Sequence, residues 1–361
     1  MNQKKVIDGS AVVYCENAFN TTNGKTAHGL VRFTERYEVR AVIDSRYAGR
    51  DAGRVLDGRE NGIPIVASLA EAEGFFSEKE TRYFVVGLAP DGGRLNPEGF
   101  SAVRGALGQG FHVDCGLHDF LSEREDLRSL AAQHGVTLRD IRKPPHRSEL
   151  HFFSGDIEKV DATKIAILGT DSAIGKRTTA WILVHALRQL GWNVELVGTG
   201  QTAWLQGARY SMIMDSLVND FVSGEIEHAV VSAWLEAKPD FIVIEGQGSL
   251  MNPAYPGGFE ILAAGRPDFI VMQHAPARFE YDGFPGYKLH PLAQQIHVAE
   301  VLSGKPVAAV TINHEDLDVD RIDGVAHSIT MLTGLPAWDP LVHGGKGLAE
   351  LSVLFREKGD L

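Results

Sequence analysis

"ILGTDSAIGKRTTAWILV", residues 167–184, decides how the second half of the chain is read. An apolar run enters a Gly/Ser/Thr turn, and an amphipathic helix leaves it. A phosphate-cradling loop is usually spelled G-x-x-x-x-G-K-[ST]. Here Thr170 stands five before Gly175, and the first glycine falls one residue earlier, at Gly169. After Lys176 comes Arg177, where a magnesium-binding hydroxyl normally stands. A turn of this kind leaves backbone N–H groups unpaired, and the following helix adds about half a positive charge at its start. Lys176 supplies a full charge, so the loop can hold an anion. The bland alternative is an ordinary tight turn between strand and helix.

The rest of the second half alternates in the same way. "NVELVGTGQT" (193–202) and "PDFIVIEGQGSL" (239–250) are strands running into Gly-rich turns. "PDFIVMQHAP" (267–276) and "KPVAAVTINHE" (305–315) are further strands. Helical patterns cover 176–191, 217–238, 290–304, 319–334 and 344–358. The first half reads likewise. "AVVYCENA", "EVRAVID", "RYFVVGLAP" and "FHVDCGL" are strands, "GIPIVASLAEAEGFF" is a strand followed by a helix opening at Ser68, and 118–135 is a helix ended by a glycine. Such alternation builds parallel sheets with helices on both faces, so the expected fold is α/β with two doubly wound domains. The proline-bearing, aperiodic stretch "DIRKPPHRSELHFFSGDIEKVDA" (140–162) separates them. Expected bounds are 1–140, a linker at 141–160, and 161–361. On doubly wound sheets ligands bind at the carboxyl ends of strands. The Gly-rich turns after Leu168, Val197 and Ile244 belong there.

Composition narrows the function. The 361 residues are 44% hydrophobic and 23% charged, with a net charge of −12. A balance this acidic argues against nucleic acid or anionic membrane as partner. Two cysteines, Cys15 and Cys115, offer neither a disulfide framework nor a Cys-rich zinc site and suit a reducing, cytoplasmic setting. The N-terminus has no apolar stretch after its lysines, and no run approaches the roughly 20 residues of a membrane helix. The histidines show no metal-ligand spacing, so no metal is expected. A second Gly-Lys-Thr, residues 24–26 in "FNTTNGKTAHG", has Phe19 at the first-glycine position and reads as a polar turn. Asp44 ends a first-half strand, where a ribose is often held. No G-x-G-x-x-G precedes it, which argues against a nicotinamide.

"GTDSAIGK" resembles the deviant P-loop of dethiobiotin synthetase and its relatives, spelled G-T-D-x-x-V-G-K, and "VIEGQGSL" is similar to that group's V-E-G-A-G-G turn. Over nearly the whole chain, "GTDSAIGKRTT", "GTGQT", "IEGQGS" and "RKPP" resemble the D-glutamate N-acetyltransferase family, long described as a domain of unknown function. That resemblance implies a Rossmann-like first domain and a P-loop NTPase-like second one. It also implies acetyl transfer from acetyl-coenzyme A to the amine of an amino acid, D-glutamate, in D-amino-acid catabolism. A metal-free coenzyme A suits Arg177, because its pyrophosphate and 3′-phosphate call for cations. The alternative is an ATP- and magnesium-dependent carboxylate-activating enzyme of the dethiobiotin-synthetase type. A homo-oligomer is expected.

Candidate roles follow from what acetyl transfer needs. Gly169, Thr170, Ser172, Gly175, Lys176, Arg177 and Thr178 would hold the cofactor phosphates. Backbone amides near Gly246 and Ser249 would meet the thioester oxygen. Glu245, at a strand end, and His274, directly after a strand, are the candidate bases. Asp171 either steers the amine or braces its loop. In the long Pro/Gly-rich loop after His274, Arg278 and Lys288 are the cations for an acceptor's carboxylates.

Overall fold

A computed structural model describes residues 7–77, 80–345 and 347. It divides into two compact units. The first is Met1–Pro144 together with Gln201–Ala208; the second is Pro145–Gly200 with Arg209–Leu361.

In the first unit six strands, β1 (Gly9–Tyr14), β2 (Tyr37–Ile43), β3 (Ile65–Val66), β4 (Arg82–Val86), β5 (His112–Cys115) and β6 (Leu138–Asp140), form one sheet in the order β3-β2-β1-β4-β5-β6. Every pairing is parallel. This is the strand order of dinucleotide-binding folds. Period-two alternation sends Val12 and Tyr14 into one core and Ala11 and Val13 into the other, so both faces of β1 are covered. The turn expected at Gly24–Thr26 instead feeds a helix, Lys25–Arg32. Phe19, read as out of place there, is fully buried and packs in the core beneath it. Pro97–Gly108 is a further helix, opened by Asn96 accepting from the Gly99 amide; its first residues belong to "PDGGRLNPEG" (90–99), whose composition is that of a turn.

The short helix Gln201–Leu205 completes this unit from a distant part of the chain. Leu205 is buried against Phe19 and Leu30. Gln206 Nε2 donates to the carbonyls of Gly29 and Phe33. The Arg36 guanidinium lies over the Trp204 ring, 3.7 Å from its centroid.

The second unit carries β7 (Thr163–Gly169), β8 (Val194–Gly198), β9 (Tyr210–Ser211), β10 (Phe241–Glu245), β11 (Phe269–His274), β12 (Val307–Ile312) and β13 (Ala337–Trp338). Their order is β13-β12-β11-β7-β10-β8-β9, again parallel throughout. β10 inserts between β7 and β8, which brings its end beside the loop that leaves β7. The stretch from His151 runs against the helix Asn219–Ala237, where a Cβ on Gly224 would meet the His151 carbonyl at 2.0 Å. The Ser154 and Ile157 amides donate to the buried Glu227 of that helix. The helix expected at 344–358 lies almost wholly outside the described residues. Among those described, no helix is long and apolar enough to cross a membrane.

Candidate functional site

β7 ends at Gly169, the loop runs from Thr170 to Gly175, and the helix Lys176–Gln189 follows. Gly175 sits at φ +97°, a left-handed conformation that favours glycine, and it caps the helix without a side chain. The first-turn N–H groups are therefore not taken by a capping side chain, which suits an anion. The Lys176 stem passes between two glycines. A Cβ on Gly169 or on Gly246 would lie 3.0 Å from Lys176 Cδ, and one on Gly246 would also meet the Ile167 carbonyl at 2.1 Å. Lys176 Nζ donates to the Asp171 carbonyl at 2.6 Å, curling the lysine back over its own loop.

Asp171 is fully buried, and its carboxylate is filled by its surroundings. Oδ1 accepts from the Ser172 amide at 2.7 Å and from Asn252 Nδ2 at 2.9 Å. Oδ2 accepts from Arg278 Nη1 at 2.9 Å and from the Asp282 amide at 2.8 Å. The geometry is that of a brace. Arg278, expected to clamp a ligand carboxylate, also donates from Nη1 to the Ser172 carbonyl at 2.9 Å and from Nη2 to Glu315 at 2.6 Å. It stitches the loop after β11 to the loop after β7, with its charge spent on Asp171 and Glu315. Lys288 lies exposed, in an antiparallel bridge with Glu280.

Glu245 ends β10 in register with Ile167 of β7, so it borders the cradle. The Thr199 amide donates to its Oε2 at 2.8 Å. Burial pushes its carboxyl above the usual range, against the pull of Arg177, the Thr199 and Gly200 amides, and Lys176. In the turn that follows, Gly248 is left-handed at φ +52°. The Ser249 amide is taken by the Tyr255 carbonyl at 3.0 Å, which removes it as a donor to a thioester oxygen. Ser249 Oγ is buried and finds no hydrogen-bond partner among the described residues.

His274 ends β11 beside Gly169, and its Nδ1 is 3.0 Å from Thr170 Oγ1. Burial lowers its pKa to about 4. It is neutral at physiological pH and a weak base. Between about 4 and the ordinary 6.5 the unfolded chain binds a proton here that the folded chain does not. Stability therefore falls as pH drops through that window, by about 3 kcal/mol in all. His274→Gln is expected to flatten the fall of melting temperature between pH 7 and 4. A slope equal to the parent's would mean that this imidazole is not the buried neutral group described.

The ends of β8, β10, β7 and β11 thus form one row carrying Thr199, Glu245, the cradle and His274. β12 extends it. Asn313 Nδ2 donates to the Ile174 carbonyl of the cradle at 3.1 Å, and Glu315 holds Arg278. Between them stands His314, whose Nδ1 is 2.5 Å from Oδ2 of buried Asp339. The sequence reading missed this pair. Among the described residues no group of three or more His, Cys, Asp or Glu side chains is placed to hold a metal ion.

The comparisons with known proteins follow the same division. Residues 45–144 match the N-terminal Rossmann-like domain, and residues 151–349 the C-terminal P-loop domain, of the domain-of-unknown-function family DUF1611. A protein of Tritonibacter scottomollicae named D-glutamate N-acetyltransferase is 28% identical over 272 residues, 74% of this chain and 79% of that protein. One of the same name from a Pseudoalteromonas species is 28% identical over 270 residues, 72% and 78% respectively. The crystal structure of a DUF1611 family protein from Anabaena variabilis superposes with a TM-score of 0.86 at 28% identity, covering 95% of this chain and 98% of that one. With a Rossmann-like unit, a P-loop unit and a family model spanning 151–349, this chain belongs to the DUF1611 family.

Proposed function

We propose that the protein moves an acetyl group from acetyl-coenzyme A to the amine of an amino acid, with D-glutamate as the acceptor. The observation that carries the reading is a built anion cradle with Arg177 at the position of the metal-ligating hydroxyl, in a chain whose relatives are named D-glutamate N-acetyltransferase. Lys176, Arg177 and the first-turn amides take the coenzyme's phosphates. Two cations and a helix start can neutralise a pyrophosphate without magnesium. The amine attacks the thioester carbonyl, and the carbon–sulfur bond breaks. Glu245, which keeps its proton more readily than an exposed glutamate, is in this reading the acid that protonates the departing sulfur. His274, neutral and tied to Thr170, keeps the end of β11 in place rather than moving the proton.

One observation favours a second reading, an ATP- and magnesium-dependent carboxylate-activating enzyme. Glu245 stands at the end of the strand next to β7, where a magnesium-holding acid would be. The two readings part on one assay. Thiol release from acetyl-coenzyme A in the presence of D-glutamate is expected to survive EDTA and to need no ATP. A strict requirement for both ATP and magnesium would overturn acetyl transfer and promote the second reading.

A further inference from the structure

Acetylating an amino acid begins with its ammonium losing a proton, and the groups on the cradle are ill suited to take it. His274 is held near 4, Asp171 has both oxygens filled, and Glu245 is buried against the cations that would hold the coenzyme. One imidazole along the same row of strand ends is arranged differently. His314 follows β12, two residues past Ile312, and its Nδ1 meets Asp339 Oδ2 at 2.5 Å. Asp339 is fully buried. Its other oxygen accepts from the Leu341 and Val342 amides at 2.8 and 3.2 Å, so the carboxylate cannot turn away. A carboxylate fixed on Nδ1 selects the tautomer that leaves Nε2 as the proton acceptor. The His314 side chain is 32% exposed, against 1% for that of Asp339, so the imidazole is open to solvent and to a small ligand. Both its neighbours are bound to the cradle. Asn313 donates to Ile174, and Glu315 holds the Arg278 that reaches Ser172 and Asp171. The segment is thus fastened to the phosphate loop directly through Asn313 and by way of Arg278 through Glu315.

We infer that His314, oriented by Asp339, is the base that deprotonates the acceptor amine. The inference rests on the acetyl-transfer reading. The ammonium gives one proton to His314 Nε2. The freed lone pair attacks the thioester carbonyl, the carbon–nitrogen bond forms and the carbon–sulfur bond breaks. Glu245 gives its proton to sulfur and is reprotonated from water, while His314 passes its first proton to water and then takes the second from nitrogen. Asp339 acts through His314 and is a positioning residue.

The test measures thiol release with D-glutamate and acetyl-coenzyme A both saturating, alongside calorimetric affinity for coenzyme A and a melting curve. His314→Gln keeps a donor for Asp339 but has no base. Its kcat is expected to fall about a hundredfold, with coenzyme A affinity unchanged. In His314→Ala, added imidazole is expected to restore part of the turnover, which a purely structural histidine would not allow. Asp339→Asn is expected to lower kcat more than it alters KM, and it decides the matter if neither His314 variant folds. Folded variants with parental kcat would overturn the role of His314 and leave acetyl transfer standing. A parent protein that releases no thiol with any amino acid would overturn both.

Discussion

Replacing Lys176 by alanine is expected to raise the KM for acetyl-coenzyme A roughly ten- to a hundredfold and to weaken coenzyme A binding by the same factor. A charged contact to a phosphate contributes about 1.5–3 kcal/mol, which converts to that range. The lysine suits the measurement because its ammonium donates to a backbone carbonyl, that of Asp171, a contact that a phosphate can replace. Its stem runs between Gly169 and Gly246, so shortening it opens a channel without disturbing a side-chain core. The turnover number at saturation should change much less than KM, because a phosphate contact far from the thioester serves ground state and transition state alike. Calorimetry on the folded variant checks this directly; an unaltered affinity would take the loop out of the coenzyme site.

Asp171→Ala should be the most damaging single change to the second unit. It leaves the amides of Ser172 and Asp282, the Asn252 amide group and one face of Arg278 without their acceptor. Breaking a buried pair from one side costs about 3–5 kcal/mol, here moderated by Glu315, which still holds Arg278. For a unit of this size the melting temperature should drop by roughly 10 °C. Coenzyme A binding should weaken with it, since the loop loses its brace. A variant with parental melting and affinity but a lowered kcat would instead mean that Asp171 steers the amine, the other role open to it from its position in the loop.

How legible all this was depended on the distance along the chain over which a feature is built. The phosphate loop is local. Strand, glycine turn, lysine and helix are consecutive, and the physics that joins them acts over a few residues, so the strand–loop–helix order of 167–184 reads correctly. The strand succession is legible for the same reason, but the insertion of β10 between β7 and β8 is a property of crossovers that hydrophobic pattern does not encode. The distant partner that fixes a side chain's role is least legible. Arg278 looks like a ligand clamp until Asp171, 107 positions away, is seen to hold it. Asp339, in "AWDP", looks like a helix cap and is one; its second oxygen, on His314, is the part that bears on chemistry. The helix Lys25–Arg32 was hidden because its approach, "NTTNG", is polar enough to pass for a surface turn.

The borrowed helix Gln201–Leu205 has a consequence for how the protein is made. The first unit's own stretch ends at Pro144, yet its core lacks Leu205 and its cap over Gly29 and Phe33 lacks Gln206 until the chain has been built through Ala208. A ribosome adding roughly 5–20 residues per second must deliver about 60 more residues first, a wait of about 3–12 s. During that interval the apolar seat of Leu205 stays open while the phosphate loop is already emerging. The two units therefore do not mature one after the other on the ribosome, and a gene cut at Pro144 is expected to yield a sticky, unfinished fragment rather than a free-standing domain.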